Sequence, residues 1–209
     1  VDEINNALTM VSNPISPLTT IISGAKISTK ITLINKLLNK SSHLILGGGI
    51  LNTFLFALGY NIGTSLFELD YVNEAKKIIK HKNFEKLIMP IDVVCSNSQT
   101  FDNAQIKSIS MVQSNDKILD IGTKSIDKYV DIIKNSGTVF WNGPLGYVEQ
   151  KPYDTGTVKI TKAIAMSNCY SMVGGGDTIP IIEKLSLLDD FSYLSTGGGA
   201  LLKFVEGKE

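Results

Sequence analysis

Short apolar runs alternate with longer amphipathic stretches along most of the 209-residue chain. The apolar runs predict strands at residues 18–22, 43–46, 86–89, 138–141, 171–173 and 192–195. Between them, apolar positions recur with helical spacing and predict helices at residues 29–38, 50–58, 71–81, 124–134, 157–166 and 180–185. This alternation favours an α/β fold, a three-layer α/β/α Rossmann-like domain with a mostly parallel central sheet.

Two segments depart from the alternation. Residues 93–113 include the pattern AQIKSISMV, which predicts one or two strands away from the main sheet, as in a small hairpin. Residues 3–10 predict a helix that ends near the turn-forming sequence SNPISP. Because no linker rich in glycine, serine or proline interrupts the rest, we expect one domain over residues 17–209.

Charge and composition exclude several classes of function. The formal net charge is zero, so no long-range field favours nucleic acid or an anionic membrane. The most apolar segment, residues 44–60, is too short and too interrupted to span a bilayer. Cys95 and Cys169 are far apart, as are His43 and His81, so we expect reduced thiols and no zinc site.

Glycine-rich turns follow several of the predicted strands and lead into helical segments. They are SGAK at residues 23–26, LGGG at 46–49, VGGGDT at 173–178 and STGGGA at 195–200. In an open parallel sheet, ligands bind beyond the carboxyl ends of the strands. Glycine lets the backbone approach a ligand, and a helix N-terminus offers unpaired N–H donors to an anion. These turns therefore predict a phosphate-binding edge.

Charged and polar residues beside these turns suggest specific roles, each with a structural alternative. Asp177 is a candidate Mg²⁺ ligand beside nucleotide phosphates, or else a helix N-cap. Lys26 and Lys30 are four residues apart at a predicted helix start, where an anion between them would explain their placement; alternatively, both are solvated. In VFWNGPLGYVE, Asn142 is placed to contact phosphate and Glu149 a ribose, although the segment also fits a simple strand-ending turn.

Two common nucleotide-binding motifs are absent. The sequence has no G-x-x-x-x-G-K-[ST], so it does not encode a P-loop. No G-x-G-x-x-G follows the first strand, which argues against a nicotinamide-dependent dehydrogenase. Asp70 is the nearest candidate for the ribose-reading acid of such an enzyme, and no fingerprint precedes it.

Several motifs together carry a resemblance to a known family. SGAKISTK, LILGGG, NIGTSLF, VFWNGPLGYVE, VGGGDT and STGGGALLKFVEGK occur in an order and spacing similar to those of phosphoglycerate kinases. The resemblance runs from about residue 17 to the end and covers the C-terminal, nucleotide-binding domain. Residues 1–16 resemble the family's hinge helix and linker, and the N-terminal substrate domain is absent. The lack of arginine fits that absence, since the family binds 3-phosphoglycerate with arginines of that domain.

The resemblance implies a reaction and its participants. The family transfers a phosphoryl group between 1,3-bisphosphoglycerate and MgADP, giving 3-phosphoglycerate and MgATP in glycolysis. Its members are usually monomeric and cytoplasmic. We therefore expect this chain to bind ADP or ATP with Mg²⁺ but to be inactive alone, with the acid substrate bound by the missing domain. The alternative is a non-catalytic nucleotide-binding module from a divergent paralogue.

The resemblance also implies residue roles. Lys26, Gly176 and Gly199 would act at the transferring phosphoryl group, and Asp177 would hold Mg²⁺. The nucleotide would contact Gly24, Ala25, Lys26, Lys30, Gly48, Gly49, Leu66, Ile118, Leu119, Asn142, Pro144, Glu149, Gly175, Gly176, Asp177 and Thr178.

The chain departs from the family pattern on both sides of this site. Ser23 replaces the first glycine of the usual GGAK, Thr29 stands where aspartate is common, and Leu201 replaces a serine. Asn52 and Ile118 occupy positions near the adenine that are usually aromatic and glycine. These last two leave the preferred base open.

Overall fold

The computed structural model describes residues 13–195. The main sheet contains β1 (Leu18–Ser23), β2 (His43–Gly47), β3 (Leu87–Ile88), β7 (Thr138–Asn142), β8 (Tyr170–Gly174) and β9 (Tyr193–Ser195). Their order is β3-β2-β1-β7-β8-β9, and every neighbouring pair is parallel. The chain order reverses beside β1, which pairs with β2 on one side and β7 on the other. The predicted parallel sheet is confirmed, and this switch point is where such folds bind ligands.

Helices cover both faces of the main sheet. They are α1 (Ile31–Lys40), α2 (Gly48–Ala57), α3 (Val72–Ile79), α4 (Thr123–Lys134), α5 (Thr155–Ala165) and α6 (Ile179–Lys184). Successive residues of a strand point to opposite faces. Accordingly, Ile22 packs in a core with residues of α1, α2 and α3, whereas Ile21 packs in a second core with residues of α4, α5 and α6. The two cores give the three-layer architecture predicted from the sequence.

A second, antiparallel sheet lies apart from the first. It contains β4 (Asp92–Ser96), β5 (Gln105–Ser108) and β6 (Lys117–Ile121) in the order β5-β4-β6. The hairpin predicted over residues 93–113 is confirmed as β4 and β5. β6 was not predicted, because its five residues follow a turn and precede a helix without a clear apolar alternation. β3 is shorter than predicted, with two residues instead of four.

Hydrogen bonds fasten the small sheet to the carboxyl edge of the large one. The Ile118 amide donates to Ser65 Oγ over 2.8 Å, and the Tyr147 amide donates to the Leu119 carbonyl over 2.7 Å. The two sheets thus enclose a space above the ends of β1, β2 and β7. Within residues 13–195, no helix has the length and hydropathy needed to cross a bilayer. The helix predicted at residues 3–10 lies outside the described residues, as do Gly199 and Leu201.

Candidate functional site

A cavity of about 460 Å³ opens at the carboxyl edge of the main sheet, between the two sheets. This volume lies within the range of pockets that bind small molecules. The predicted site residues that line it are Gly24, Ala25, Gly48, Gly49, Leu66, Ile118, Leu119, Pro144, Glu149 and Asp177. They come from segments that are distant in sequence and that the topology brings to one edge.

Two glycine turns form one wall of the cavity by direct backbone contact. Gly48 has φ +62°, and the Ile50 amide donates to the Gly24 carbonyl over 3.2 Å. A Cβ on Gly49 would lie 2.2 Å from the Ala25 carbonyl oxygen, closer than any side chain permits. The LGGG sequence is therefore required by the close approach of α2 to the turn after β1, which leaves backbone facing the cavity.

Apolar side chains also line the cavity, and we call this group the apolar wall: Leu51, Leu66, Phe101, Ile118, Leu119 and Leu145. Leu66 is 54% exposed although it lines a cavity, so a ligand would cover area that is now in contact with solvent. An apolar surface of this kind suits an aromatic ring system.

Polar side chains join the ends of β1, β7 and β8, and we call this group the polar end. Lys30 Nζ donates to the Ser23 carbonyl and to Asn142 Oδ1, each over 2.5 Å. Asn142 Nδ2 in turn donates to the Gly174 carbonyl over 2.7 Å. The ammonium also lies against Gly24, whose added Cβ would be 3.2 Å from Nζ. A lysine therefore holds three strand ends together beside the cavity.

The two predicted lysines occupy different environments. Lys26 is exposed, whereas Lys30 is half-buried. Burial lowers the pKa of Lys30 to about 8, and the Asp177 carboxylate opposes that change. The interpretation of both as solvated surface lysines is thus wrong for Lys30. Because Asp177 influences the ammonium, the charged groups of the β1 and β8 turns lie within electrostatic range of each other.

The GGGDT turn after β8 places Asp177 and Thr178 differently. The N-cap of α6 is Thr178 and it makes no side-chain capping bond, so the N-cap interpretation of Asp177 is wrong. Thr178 is buried, and its Oγ1 accepts the Gly143 amide over 3.1 Å. Gly175 has φ +124°, and a Cβ there would lie 3.2 Å from Asn142 Nδ2. Gly176 is exposed at the turn, and no atom of the described part of the chain lies within 4 Å of a Cβ built on it.

The residues present are compatible with a bound Mg²⁺. Asp177 is exposed, lines the cavity and accepts no side-chain hydrogen bond from residues 13–195. In the same part of the chain, no three acidic, histidine or cysteine residues form a metal-binding group. A single carboxylate suits Mg²⁺ that takes its remaining ligands from water and nucleotide phosphates.

Comparison with known proteins decides the family. The family model described as phosphoglycerate kinase matches residues 1–208. The chain belongs to the phosphoglycerate kinase family. It is 47% identical over 199 residues to a phosphoglycerate kinase of Baumannia cicadellinicola, a match that covers 95% of this chain and 50% of that protein.

Solved phosphoglycerate kinase structures share the fold. The enzyme from Coxiella burnetii superposes with a TM-score of 0.93 at 42% identity, over 98% of this chain and 54% of the other. The enzyme from Pyrococcus horikoshii gives 0.86 at 26% identity, over 100% of this chain and 54% of the other. The chain thus spans about half the length of the phosphoglycerate kinases that it matches.

Two of the departures from the phosphoglycerate kinase pattern have a visible structural consequence. Ser23 Oγ donates to the Pro144 carbonyl over 2.6 Å and so ties the end of β1 to the loop after β7. Asn52 is 3% exposed, and its Nδ2 donates to the Leu66 carbonyl over 2.9 Å. Asn52 Oδ1 has no partner among the described residues. Asn52 therefore fixes the backbone of a cavity-lining residue.

The loop after β7 was predicted as a rigid turn and is held by several contacts. Trp141 is fully buried and its Nε1 donates to the Gly143 carbonyl over 2.7 Å, so it is a core anchor within a rigid loop. Glu149 is exposed at the cavity. Asn142 and Pro144 are fixed by the bonds already described.

The cavity residues missed from the sequence include Phe101, Lys117, Asp120 and Tyr147. The Phe101 ring lies edge-on to Tyr147, with 6.0 Å between centroids, and Lys117 Nζ lies 4.9 Å from its centroid. Three of these residues belong to the small sheet or its loops, where β6 was not predicted. The sequence FDNAQ carries no periodicity that could have revealed Phe101.

Asp120 is the buried acid of this region. Its carboxylate accepts the Gly156 amide over 2.7 Å and the Ile121 amide over 2.8 Å. Burial raises its pKa to about 7, and the two amide bonds act in the opposite direction. A Cβ on Gly146 would lie 2.5 Å from Asp120 Oδ1. The acid therefore joins β6 to the loop after β7 and to the start of α5.

Proposed function

We propose that the cavity binds MgADP and MgATP, and that the chain is the nucleotide-binding half of a phosphoglycerate kinase. The complete enzyme would transfer a phosphoryl group between 1,3-bisphosphoglycerate and ADP, giving 3-phosphoglycerate and ATP in glycolysis. The observation that carries the proposal is the Lys30 ammonium, which is hydrogen-bonded to Ser23 and Asn142 beside glycine turns at the switch point of the sheet. A cation among backbone amides at that place suits polyphosphate.

The shape of the cavity favours one orientation of the nucleotide. The purine would lie between the backbone of Gly48 and Gly49 and the apolar wall, which suits an aromatic ring. Glu149 would accept hydrogen bonds from the ribose hydroxyls. The phosphates would then extend along Gly24 and Ala25 toward the polar end. The reverse orientation would place phosphate charge against the leucines of the apolar wall.

The chemistry requires positioning and charge neutralisation, not a protein nucleophile. Mg²⁺ bound with the nucleotide would neutralise phosphate charge, with Asp177 as its protein ligand. Lys26 is exposed and would meet the transferring phosphoryl group, next to Gly176 and Gly199. Lys30, Asn142, Gly175 and Thr178 would lie against the nucleotide phosphates. Phosphate oxygens near Lys30 would favour its charged form and offset the effect of burial on its pKa.

The other half of the reaction belongs to a part that this chain does not contain. We propose that a separate N-terminal domain binds 3-phosphoglycerate or 1,3-bisphosphoglycerate, and that residues 1–16 form the hinge toward it. The chain alone would bind nucleotide without turnover. We further propose a cytoplasmic monomer that uses neither nucleic acid nor a membrane as partner.

Calorimetric titration of the chain with MgADP, MgGDP and NADH tests the proposal, with circular dichroism to show that the chain is folded. We expect MgADP to bind, NADH not to bind, and a coupled assay to detect no phosphoryl transfer by the chain alone. A folded chain that binds neither nucleoside diphosphate would contradict nucleotide binding. Turnover by the chain alone would contradict the need for a second domain, and NADH binding would indicate a dehydrogenase-like module.

A further inference from the structure

The turn that carries Lys26 is held by hydrogen bonds to Glu68, an acidic residue that has no role in the proposed function. Lys26 precedes a 3-10 turn, Ile27–Thr29, and Ile27 is fully buried beneath it. Thr29 Oγ1 donates to the Lys26 carbonyl over 2.9 Å. The Lys26 ammonium makes no hydrogen bond or ion pair within residues 13–195. Its position is therefore set by the turn and by whatever holds the turn.

Both carboxylate oxygens of Glu68 accept hydrogen bonds from this turn. The Ser28 amide donates to Oε2 over 2.8 Å, and Ser28 Oγ donates to Oε1 over 2.7 Å. Glu68 is half-buried, and the ion pairs of the described residues, Lys77–Glu74 and Lys107–Asp116, do not include it. Hydrogen bonds to an ionised acceptor are among the strong ones. The carboxylate is thus committed to one serine, 40 positions earlier in the chain.

Glu68 is itself anchored to the wall of the cavity. Its amide donates to Thr53 Oγ1 over 3.2 Å, and that hydroxyl donates to the Gly49 carbonyl over 2.8 Å. Two residues earlier, the Leu66 carbonyl accepts Asn52 Nδ2. The segment from Leu66 to Glu68 is therefore fastened to α2 at both ends, and it connects the cavity wall to the turn of Lys26.

We propose that Glu68 is a positioning residue that sets the location of Lys26 for the transferring phosphoryl group. The proposal rests on the proposed function, in which Lys26 meets that group. The transferring phosphoryl group is present in ATP and absent from ADP. We therefore expect the loss of Glu68 to lower the affinity for MgATP more than the affinity for MgADP. A residue with only a general structural role would change both affinities alike.

The experiment is a double-mutant cycle on this chain. Glu68→Ala should lower the ratio of MgATP to MgADP affinity about fivefold, because one charge-assisted contact of Lys26 is misplaced. The same substitution in a Lys26→Ala background should leave the ratio unchanged. Glu68→Gln should stay within about twofold of wild type, since its amide oxygen can accept the Ser28 N–H while its Nε2 donates to Ser28 Oγ. Glu74→Ala is the matched control, as Glu74 is an acid paired only with Lys77 on the surface.

A second measurement needs no nucleotide. Amide hydrogen exchange at Ser28 should be at least about tenfold faster in Glu68→Ala than in Glu74→Ala. If Glu68→Ala does not fold, Ser28→Ala replaces it in this measurement, because it removes only the hydroxyl donor to Glu68. Unchanged exchange, equal losses for both nucleotides, or a persistent effect without Lys26 would each overturn the inference. A chain that binds neither nucleotide would contradict the proposed function, while the exchange rate would still decide whether Glu68 holds the turn.

Discussion

The polar end and the apolar wall of the cavity are built on different principles. The polar end joins adjacent strands of one sheet, and its side chains bond to each other and to strand-end carbonyls, as Lys30 and Asn142 do. The apolar wall gathers side chains from α2, the segment after it, the small sheet and the loop after β7, without a shared ladder of bonds. We therefore expect the polar end to tolerate little change in geometry, whereas the apolar wall depends mainly on the apolar surface area that it presents. The departures from the family pattern at Asn52 and Ile118 both line the cavity, and Ile118 belongs to the apolar wall.

The contact between α2 and the turn after β1 should be the most sensitive point. Gly49→Ala would place a Cβ 2.2 Å from the Ala25 carbonyl oxygen and force the two backbones apart. We expect a loss of about 1–3 kcal/mol in the free energy of unfolding, together with a large loss of MgADP affinity. Chemical denaturation and calorimetry measure the two. Gly176→Ala is the control for stability, since no atom of residues 13–195 lies within 4 Å of its added Cβ; equal destabilisation of both variants would contradict the explanation.

Removing the ammonium of the polar end should affect binding next most strongly. Lys30→Met keeps an unbranched side chain one atom shorter but removes the charge and both hydrogen bonds, so MgADP affinity should fall about 10- to 100-fold. Lys26→Met, in the exposed neighbour, should change MgADP affinity by less than about threefold, because ADP lacks the transferred group. Calorimetry on both variants decides the question. Equal losses of MgADP affinity in the two variants would mean that Lys26 and Lys30 do not differ in their roles.

The buried acid beside the apolar wall should give a pH-dependent stability. Its pKa is about 7 in the folded chain and near 3.8 when unfolded, so the folded state retains a proton that the unfolded state has lost. The free energy of unfolding should therefore decrease as pH rises from about 4 to 7, by up to about 1.4 kcal/mol per pH unit. Urea titrations at several pH values should show that Asp120→Asn removes this slope. A wild-type slope that persists in the variant would assign it to another group.

The smallest effect is expected at the apolar wall itself. Leu66→Ala removes a half-exposed side chain, so stability should be unchanged, and MgADP affinity should fall about two- to fivefold from lost apolar contact. MgGDP affinity should fall by the same factor, because Leu66 would contact the face of the base and not the edges that distinguish one base from another. A loss comparable with that of Lys30→Met would mean that the two sides of the cavity do not differ as proposed.

Much of the fold was predictable because its signals are local. Strands such as β1 and β7 are buried on both faces, and each contains a short run of large apolar residues. Glycines at strand ends marked the edge where a ligand would lie. The small sheet was only half predicted, because β6 pairs with a strand more than twenty residues earlier and its register shifts between Val94 and Cys95. Phe101 and Asp120, which depend on that sheet, were missed with it.

The sequence by itself determined the alternation of strands and helices, the glycine turns and the motifs of the family, since each depends on neighbouring residues. Only the tertiary structure separated Lys26 from Lys30. Their spacing predicts one helical face, but a 3-10 turn lies between them, so Lys26 remains exposed while Lys30 enters the edge of the sheet. Tertiary structure also decided that Asp177 faces the cavity instead of capping α6. Partners from β1, β7 and the segment after α2 lie far apart in the chain, and only folding brings them within hydrogen-bonding distance.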